Sequence, residues 1–212
     1  TTAPTVSSFT MSDTALASVE IATVRIEFSE AVESFSSSNI TVPNGTLSPM
    51  TTAAFPSENI IWTATYTPNA DVEDLSNVLT LDTNWTDTAG NSGPSASATT
   101  ANFTIDTKAP TVSSFTMSDT ALAILETATV RIEFSEAVLG FASNDVVTGP
   151  NGILSPMTTS DNIIWTAIYT PMVPLEDLSN VLTLGTSWTD TAGNAGSSAT
   201  TANFTIDTQA PT

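Results

Sequence analysis

The sequence predicts an all-β protein built as two tandem seven-stranded Greek-key β-sandwiches, one over residues 1–107 and one over 108–212. Three observations carry that expectation. The chain says the same thing twice: TVSSFTMSDTALASVEIATVRIEFSEAVESF at 5–35 returns as TVSSFTMSDTALAILETATVRIEFSEAVLGF at 111–141, an offset of 106 residues. A period of that length is a whole domain and is too long for a solenoid repeat. Within each copy, apolar residues alternate with a period of two, and turn signals separate the alternating runs.

The elements follow in order, with strands expected near 5–11, 22–29, 39–42, 46–51, 59–66, 77–82 and 100–106. In the second run Val24, Ile26 and Phe28 point one way while Arg25 and Glu27 point the other. Pro43-Asn44-Gly45 is a tight-turn signal between the third and fourth runs, and it recurs as Pro150-Asn151-Gly152. In the fifth run Ile60, Trp62, Ala64 and Tyr66 oppose Ile61, Thr63 and Thr65. Phe103 and Ile105 alternate with Asn102, Thr104 and Asp106 in the last. No segment holds a 3.6-residue period; residues 13–20 are too short and bounded to count as a helix. The threonines form no regular T-x-T ladder over successive strands, which argues against an ice-binding face. Trp62 and Trp165 fall on an inward phase and are expected in the core, whereas Trp85 and Trp188, next to a loop, stay open to a ligand role.

Composition excludes several functions. There are 22 acidic residues against three basic ones, a net charge of −19. Nucleic acid and anionic membranes need Lys and Arg on their partner, so neither is expected to bind. Hydrophobic content of 40% is enough for each copy to bury its own core, so this is no disordered acidic tail. No apolar run approaches the ~20 residues of a membrane span. Cysteine and histidine are both absent, which removes disulfides, thiolate nucleophiles, zinc fingers and His-based catalysis. No catalytic residue is expected.

RIEFSEAV at 25–32 and 131–138, DTAGN at 87–91 and 190–194, and the linker IDTKAPT at 105–111 occur together and in order. With these motifs the chain resembles, over nearly its whole length, the bacterial immunoglobulin-like repeats of giant calcium-dependent surface adhesins. The resemblance implies non-catalytic extender domains on the bacterial cell surface, which hold an adhesive tip away from the cell and are stiffened by Ca²⁺ at their junctions. The first copy departs by a Phe55-Pro56 insertion, and the second by Gly185 in place of Asp82. The chain begins and ends on the same linker text, as expected of an excerpt from a longer, monomeric array whose partners are its own neighbouring repeats.

Strand direction alone gathers the acidic residues at the two ends of each sandwich. Asp13, Glu20, Glu73, Asp74 and Asp106 are expected at the end where the chain leaves, matched in the second copy by Asp119, Glu126 and Asp207. Glu30, Asp87 and Asn91 are expected at the other end, matched by Glu136, Asp190 and Asn194. Crowded carboxylates repel one another, and a hard cation with six to eight oxygen ligands reverses that cost. Ca²⁺ is the expected cofactor, because ligands from flexible loops suit its undemanding coordination better than that of Mg²⁺. Acidity drifts elsewhere, Glu33 becoming Leu139 and Asp82 becoming Gly185, as though dispensable there. Two other classes stay open: a carbohydrate- or protein-binding module, and an accessory domain of a secreted hydrolase.

Overall fold

The computed structural model describes residues 2–54, 58–94 and 96–211, so the Phe55-Pro56 insertion lies outside the described residues. The chain divides into two compact units, Thr1–Lys108 and Ala109–Thr212. In the first unit the strands are β1 (Val6–Met11), β2 (Ala15–Ala17), β3 (Ala22–Phe28), β4 (Val32–Glu33), β5 (Ile40–Thr41), β6 (Gly45–Leu47) and β7 (Thr51–Thr52). They continue as β8 (Ile61–Pro68), β9 (Glu73–Asn77), β10 (Thr80–Leu81), β11 (Thr86–Asp87), β12 (Ala98–Thr99) and β13 (Phe103–Asp106). One sheet has the order β1-β3-β8-β6, with β7 also on β8. The opposite layer is assembled from β2-β13-β9, β12-β10-β5 and β11-β4. The second unit repeats this plan from Val112–Met117 to Phe204–Asp207.

The seven expected runs all contain strand, but two depart from their expected bounds. The first is the unbroken β1, which pairs antiparallel with β3; beyond it the chain crosses at residues 12–14 and an unexpected strand, β2, pairs parallel with β13. The fourth is interrupted after Leu47, and the sixth begins earlier than its apolar residues suggest, at Glu73. A bulge in β9 opposite Thr104 explains why the period of two fails there.

Alternation places the core as expected. Val24, Ile26 and Phe28 are buried in the first unit, with Val130, Ile132 and Phe134 in the second. Arg25 and Glu27 face out and form a 2.8 Å ion pair, repeated by Arg131 and Glu133. Trp85 and Trp188 are 1% and 0% exposed, which ends any ligand role for them. Each packs with its ring tilted against a phenylalanine, Phe28 or Phe134, at 4.6 and 4.5 Å between ring centroids. Each indole N–H donates to the carbonyl of residue 82 or 185 at 2.8 Å. In sequence the position stands beside a loop because the strand that follows it, β11, is only two residues long. Trp62 and Trp165 pack against the two cores, as expected.

The outer face of the first sheet is rich in threonine. Thr63, Thr65 and Thr67 alternate along β8, and each faces a threonine on a neighbouring strand: Thr51, Thr23 and Thr46. The T-x-T spacing is confined to β8, and Thr63 meets Arg25 on β3, so no regular ladder runs over successive strands. In the second unit Ile168 and Ile153 interrupt the threonine pairs, facing Thr129 and Thr170.

Candidate functional site: the acidic poles of each unit

Each unit has a leading pole, where the chain comes in, and a trailing pole, where it leaves. At the leading pole of the first unit the Thr5 carbonyl accepts the Ser29 N–H at 2.9 Å, which ties the incoming chain to the end of β3. Glu30 is the next residue. Val32 pairs with Asp87 across β4 and β11, so the loop after β3 and the DTAGN loop share this end. Asp87 is buried at 3% exposure and organises its own loop. Its Oδ1 accepts the N–H groups of Ala89 and Asn91 at 2.9 and 2.8 Å, and its Oδ2 accepts the Asn91 amide at 2.6 Å. The Asn91 side chain is the main reason its carboxyl lies below the ordinary carboxylate range; backbone N–H groups add to this and burial opposes it.

The second unit repeats the construction. Ser135 N–H donates to the Thr111 carbonyl at 2.8 Å, Glu136 follows, and Val138 pairs with Asp190. Asp190 accepts the Asn194 N–H at 2.9 Å and its side-chain amide at 2.8 Å. Asp190 and Asn194 are both buried.

At the trailing pole Asp106 ends β13 with Glu73 opposite it on one side and Ala17 on the other. Glu20 comes back to the same end, where its carboxylate accepts the Ala17 N–H at 2.7 Å. That bond closes a turn in which the β-branched Val19 sits at φ +62°, a left-handed conformation that needs such support. Lys108 lies 3.5 Å from Glu73 in an exposed ion pair. In the second unit Asp207 stands opposite Glu176 and Ala123, and Glu126 accepts the Ala123 N–H at 2.8 Å.

The remaining expected ligands are engaged in other work. Asp13 and Asp119 lie where the first strand switches sheets, and each accepts the N–H two residues on, at 3.0 and 2.9 Å. These are Asx turns that redirect the backbone. Asp74 accepts the Asn44 amide at 2.8 Å and the Ser76 N–H at 2.9 Å, so it clamps a neighbouring turn. Asp177 does the same with Asn151 at 2.7 Å and Ser179 at 2.9 Å.

Sequence reasoning missed one polar cluster, at positions 39, 82 and 84. The Asn39 amide donates to Asp82 Oδ1 at 3.1 Å, and Asp82 Oδ2 accepts the Asn84 amide at 3.1 Å. Where the second unit has Gly185, the carboxylate has not disappeared. It stands instead at Asp145, the counterpart of Asn39, and accepts the Ala142 N–H at 2.8 Å and the Ser187 hydroxyl at 2.5 Å. Acidity at this site is therefore relocated and not dispensable. The signal was available as a double exchange, Asn to Asp and Asp to Gly, within one chain.

The surface hollows are shallow. One at the trailing pole of the first unit, about 190 Å³, is lined by Val19, Ile21, Pro68 and Thr107 among others. Thr- and Ser-lined hollows of about 360 and 280 Å³ recur at corresponding places over β8 and its counterpart. No helix among the described residues is long and apolar enough to cross a membrane.

Among solved structures the chain is similar to FdeC, an adhesin of Escherichia coli, at 12% identity and a TM-score of 0.45, covering 96% of this chain and 64% of that one. It is similar to a three-domain Ig segment of titin at 10% identity and 0.48, covering 98% and 66%. It is also similar to the adhesin InvE of Yersinia pseudotuberculosis at 14% identity and 0.35, covering 93% and 58%. The chain thus spans less than two thirds of the length of each. No curated protein matches it. The bacterial Ig-like domain family Big_12 matches twice, over residues 1–105 and 106–206. Two consecutive matches over nearly every residue, on two separate sandwich units, establish that the chain belongs to the bacterial Ig-like domain family.

Proposed function

We propose that the two units are extender repeats of a bacterial cell-surface adhesin: extracellular, non-catalytic, and stiffened by Ca²⁺ at the junction between them. The observation that carries this reading is the tandem pair of family domains joined by the short run 107–110, with acidic groups at the pole on each side of it. Asp106 is only five residues from Thr111, and a chain of that length spans at most about 17 Å. Thr111 is held beside Ser135, so Glu136 and Asp190 belong to the pole that this tether leads into. The donors on offer are carboxylate and amide oxygens, the set a hard cation of the Ca²⁺ type accepts. Asp106, Glu136, Asp190 and Asn194 would hold the ion, with Glu73 and Glu20 at the same pole as Asp106. The ion would supply neutralisation of crowded charge and a fixed angle between the units. Pro110 already narrows the linker's conformational choice.

Thermal melting and small-angle scattering of the intact chain, in Ca²⁺ and then in chelator, test the reading. Ca²⁺ is expected to raise the melting temperature and fix the maximum dimension, and Asp106→Ala to abolish both effects while each unit stays folded. Identical curves in Ca²⁺ and chelator would remove the ion from the proposal. Acidification should weaken the effect, because the ligands must be ionised to coordinate.

A further inference from the structure

Both units carry the dipeptide Asn-Gly, at Asn44-Gly45 and Asn151-Gly152, and the fold leaves neither position a substitute. A Cβ on Gly45 would lie 2.4 Å from the Tyr66 ring and 2.6 Å from the Thr67 carbonyl; on Gly152 it would lie 2.4 Å from Tyr169. Glycine is therefore imposed by packing. The asparagine is imposed by its amide, whose two N–H groups serve two acceptors. Asn44 Nδ2 donates to Asp74 Oδ2 and to Asn77 Oδ1, both at 2.8 Å. Asn151 Nδ2 donates to Asp177 Oδ2 and Asn180 Oδ1, both at 2.7 Å. The backbone is not what the two sites share: Asn44 has φ +48°, whereas in the second unit a three-residue 3-10 turn, Gly149–Asn151, precedes Gly152. What persists is the pair of amide contacts.

Asn-Gly is also the dipeptide most open to deamidation, because glycine leaves the following backbone nitrogen unhindered. That nitrogen, deprotonated, attacks the asparagine Cγ. The new C–N bond closes a succinimide as the Cγ–Nδ2 bond breaks and ammonia leaves. Water then opens the ring to aspartate or isoaspartate, with no change of oxidation state.

We propose that Asn44 and Asn151 are modification sites of this kind, held in check by the folded trailing pole, and that conversion of either loosens that pole irreversibly. In the folded unit both hydrogens of the leaving nitrogen are engaged, so Cγ cannot swing toward the glycine nitrogen without breaking two bonds. After conversion a carboxylate would face the Asp74 carboxylate and Asn77 Oδ1, three acceptors without a donor. Asn77 cannot turn to help, since its own amide donates to the carbonyls of Asp74 at 3.1 Å and Phe103 at 3.4 Å. Asn180 is fixed in the same way by Asp177 and Phe204.

Peptide mapping by mass spectrometry, on the intact chain kept warm at mildly alkaline pH with and without unfolding urea, tests the first half. Conversion in the native chain should be at least about tenfold slower at both sites, corresponding to about 1.4 kcal/mol of local opening. Asp74→Ala should speed conversion at Asn44 and leave Asn151 alone. Equal rates in native and unfolded chain would overturn the proposal without recourse to any variant. Asn44→Asp tests the second half: the first unit should melt earlier and the second unchanged, and an unaltered melting temperature would overturn it.

Discussion

The two units solve the same packing problems with different side chains, and the differences separate what the fold requires from what it tolerates. In the first unit a carboxylate at Asp82 takes the amides of Asn39 and Asn84. In the second, the carboxylate is on the other side of the contact, at Asp145, facing Ser187. Each unit places one acidic group at the site, and a different segment brings it in each. A second difference concerns the buried tyrosines. Tyr66 donates its hydroxyl to the Pro43 carbonyl at 2.8 Å, while Tyr169 Oη is the only buried side-chain polar atom, among the described residues, with no partner. The extra residue before Asn151 has altered the turn that supplied that carbonyl in the first unit. Burial pushes the Tyr66 hydroxyl up to about 12 and raises Tyr169 as well, so both stay neutral at physiological pH.

The largest effect should come from breaking the relocated carboxylate. Asp145→Ala leaves the Ala142 N–H and the Ser187 hydroxyl without their acceptor, at a cost of about 2–3 kcal/mol to the second unit. Asp82→Gly in the first unit, copying the residue found in the second, should cost about 1–2 kcal/mol alone. Adding Asn39→Asp and Asn84→Ser should recover most of that, a coupling that calorimetry of single and combined variants would measure. Strict additivity would show that the two arrangements are unrelated.

The tyrosines give a smaller and opposite pair of expectations. Tyr66→Phe removes a satisfied hydrogen bond and should destabilise the first unit by about 1 kcal/mol. Tyr169→Phe removes an unsatisfied hydroxyl and should leave the second unit unchanged or slightly more stable, because no bond is lost and a desolvation cost is relieved. Hydrogen exchange resolved by peptide would assign each change to its unit. Equal losses would mean that Tyr169 has a partner in solution.

What could be read from the sequence was whatever is periodic or local. The alternation at Val24, Ile26 and Phe28 named its buried face, and strand direction alone put Glu30 with Asp87 and Glu73 with Asp106. The illegible features depend on partners remote in sequence. The Thr51, Thr23 and Thr46 partners of β8 come from three other strands. Asp13 and Asp74 looked like Glu73 because composition cannot distinguish a carboxylate facing solvent from one closing a turn. Trp85 stands next to a loop in sequence, yet its side chain turns into the core.

The smallest expected effect concerns pH, at the leading-pole loop. Asp87 has a folded pKa depressed chiefly by the Asn91 amide. A depressed carboxylate contributes stability that is fully present above its unfolded pKa of about 3.9 and is lost as pH falls through the lower folded value. Asn91→Ala removes the largest cause and leaves the Ala89 N–H at 2.9 Å and the residue-91 N–H at 2.8 Å in place. The Asp87 titration, followed by carboxyl NMR, should therefore move upward toward the ordinary range without reaching it. The variant's loss of stability should be fully present at neutral pH, and the difference between variant and parent should shrink to nothing once Asp87 is protonated in both. A titration at Asp87 that ignores Asn91 would leave the backbone N–H groups as the sole source of the depression.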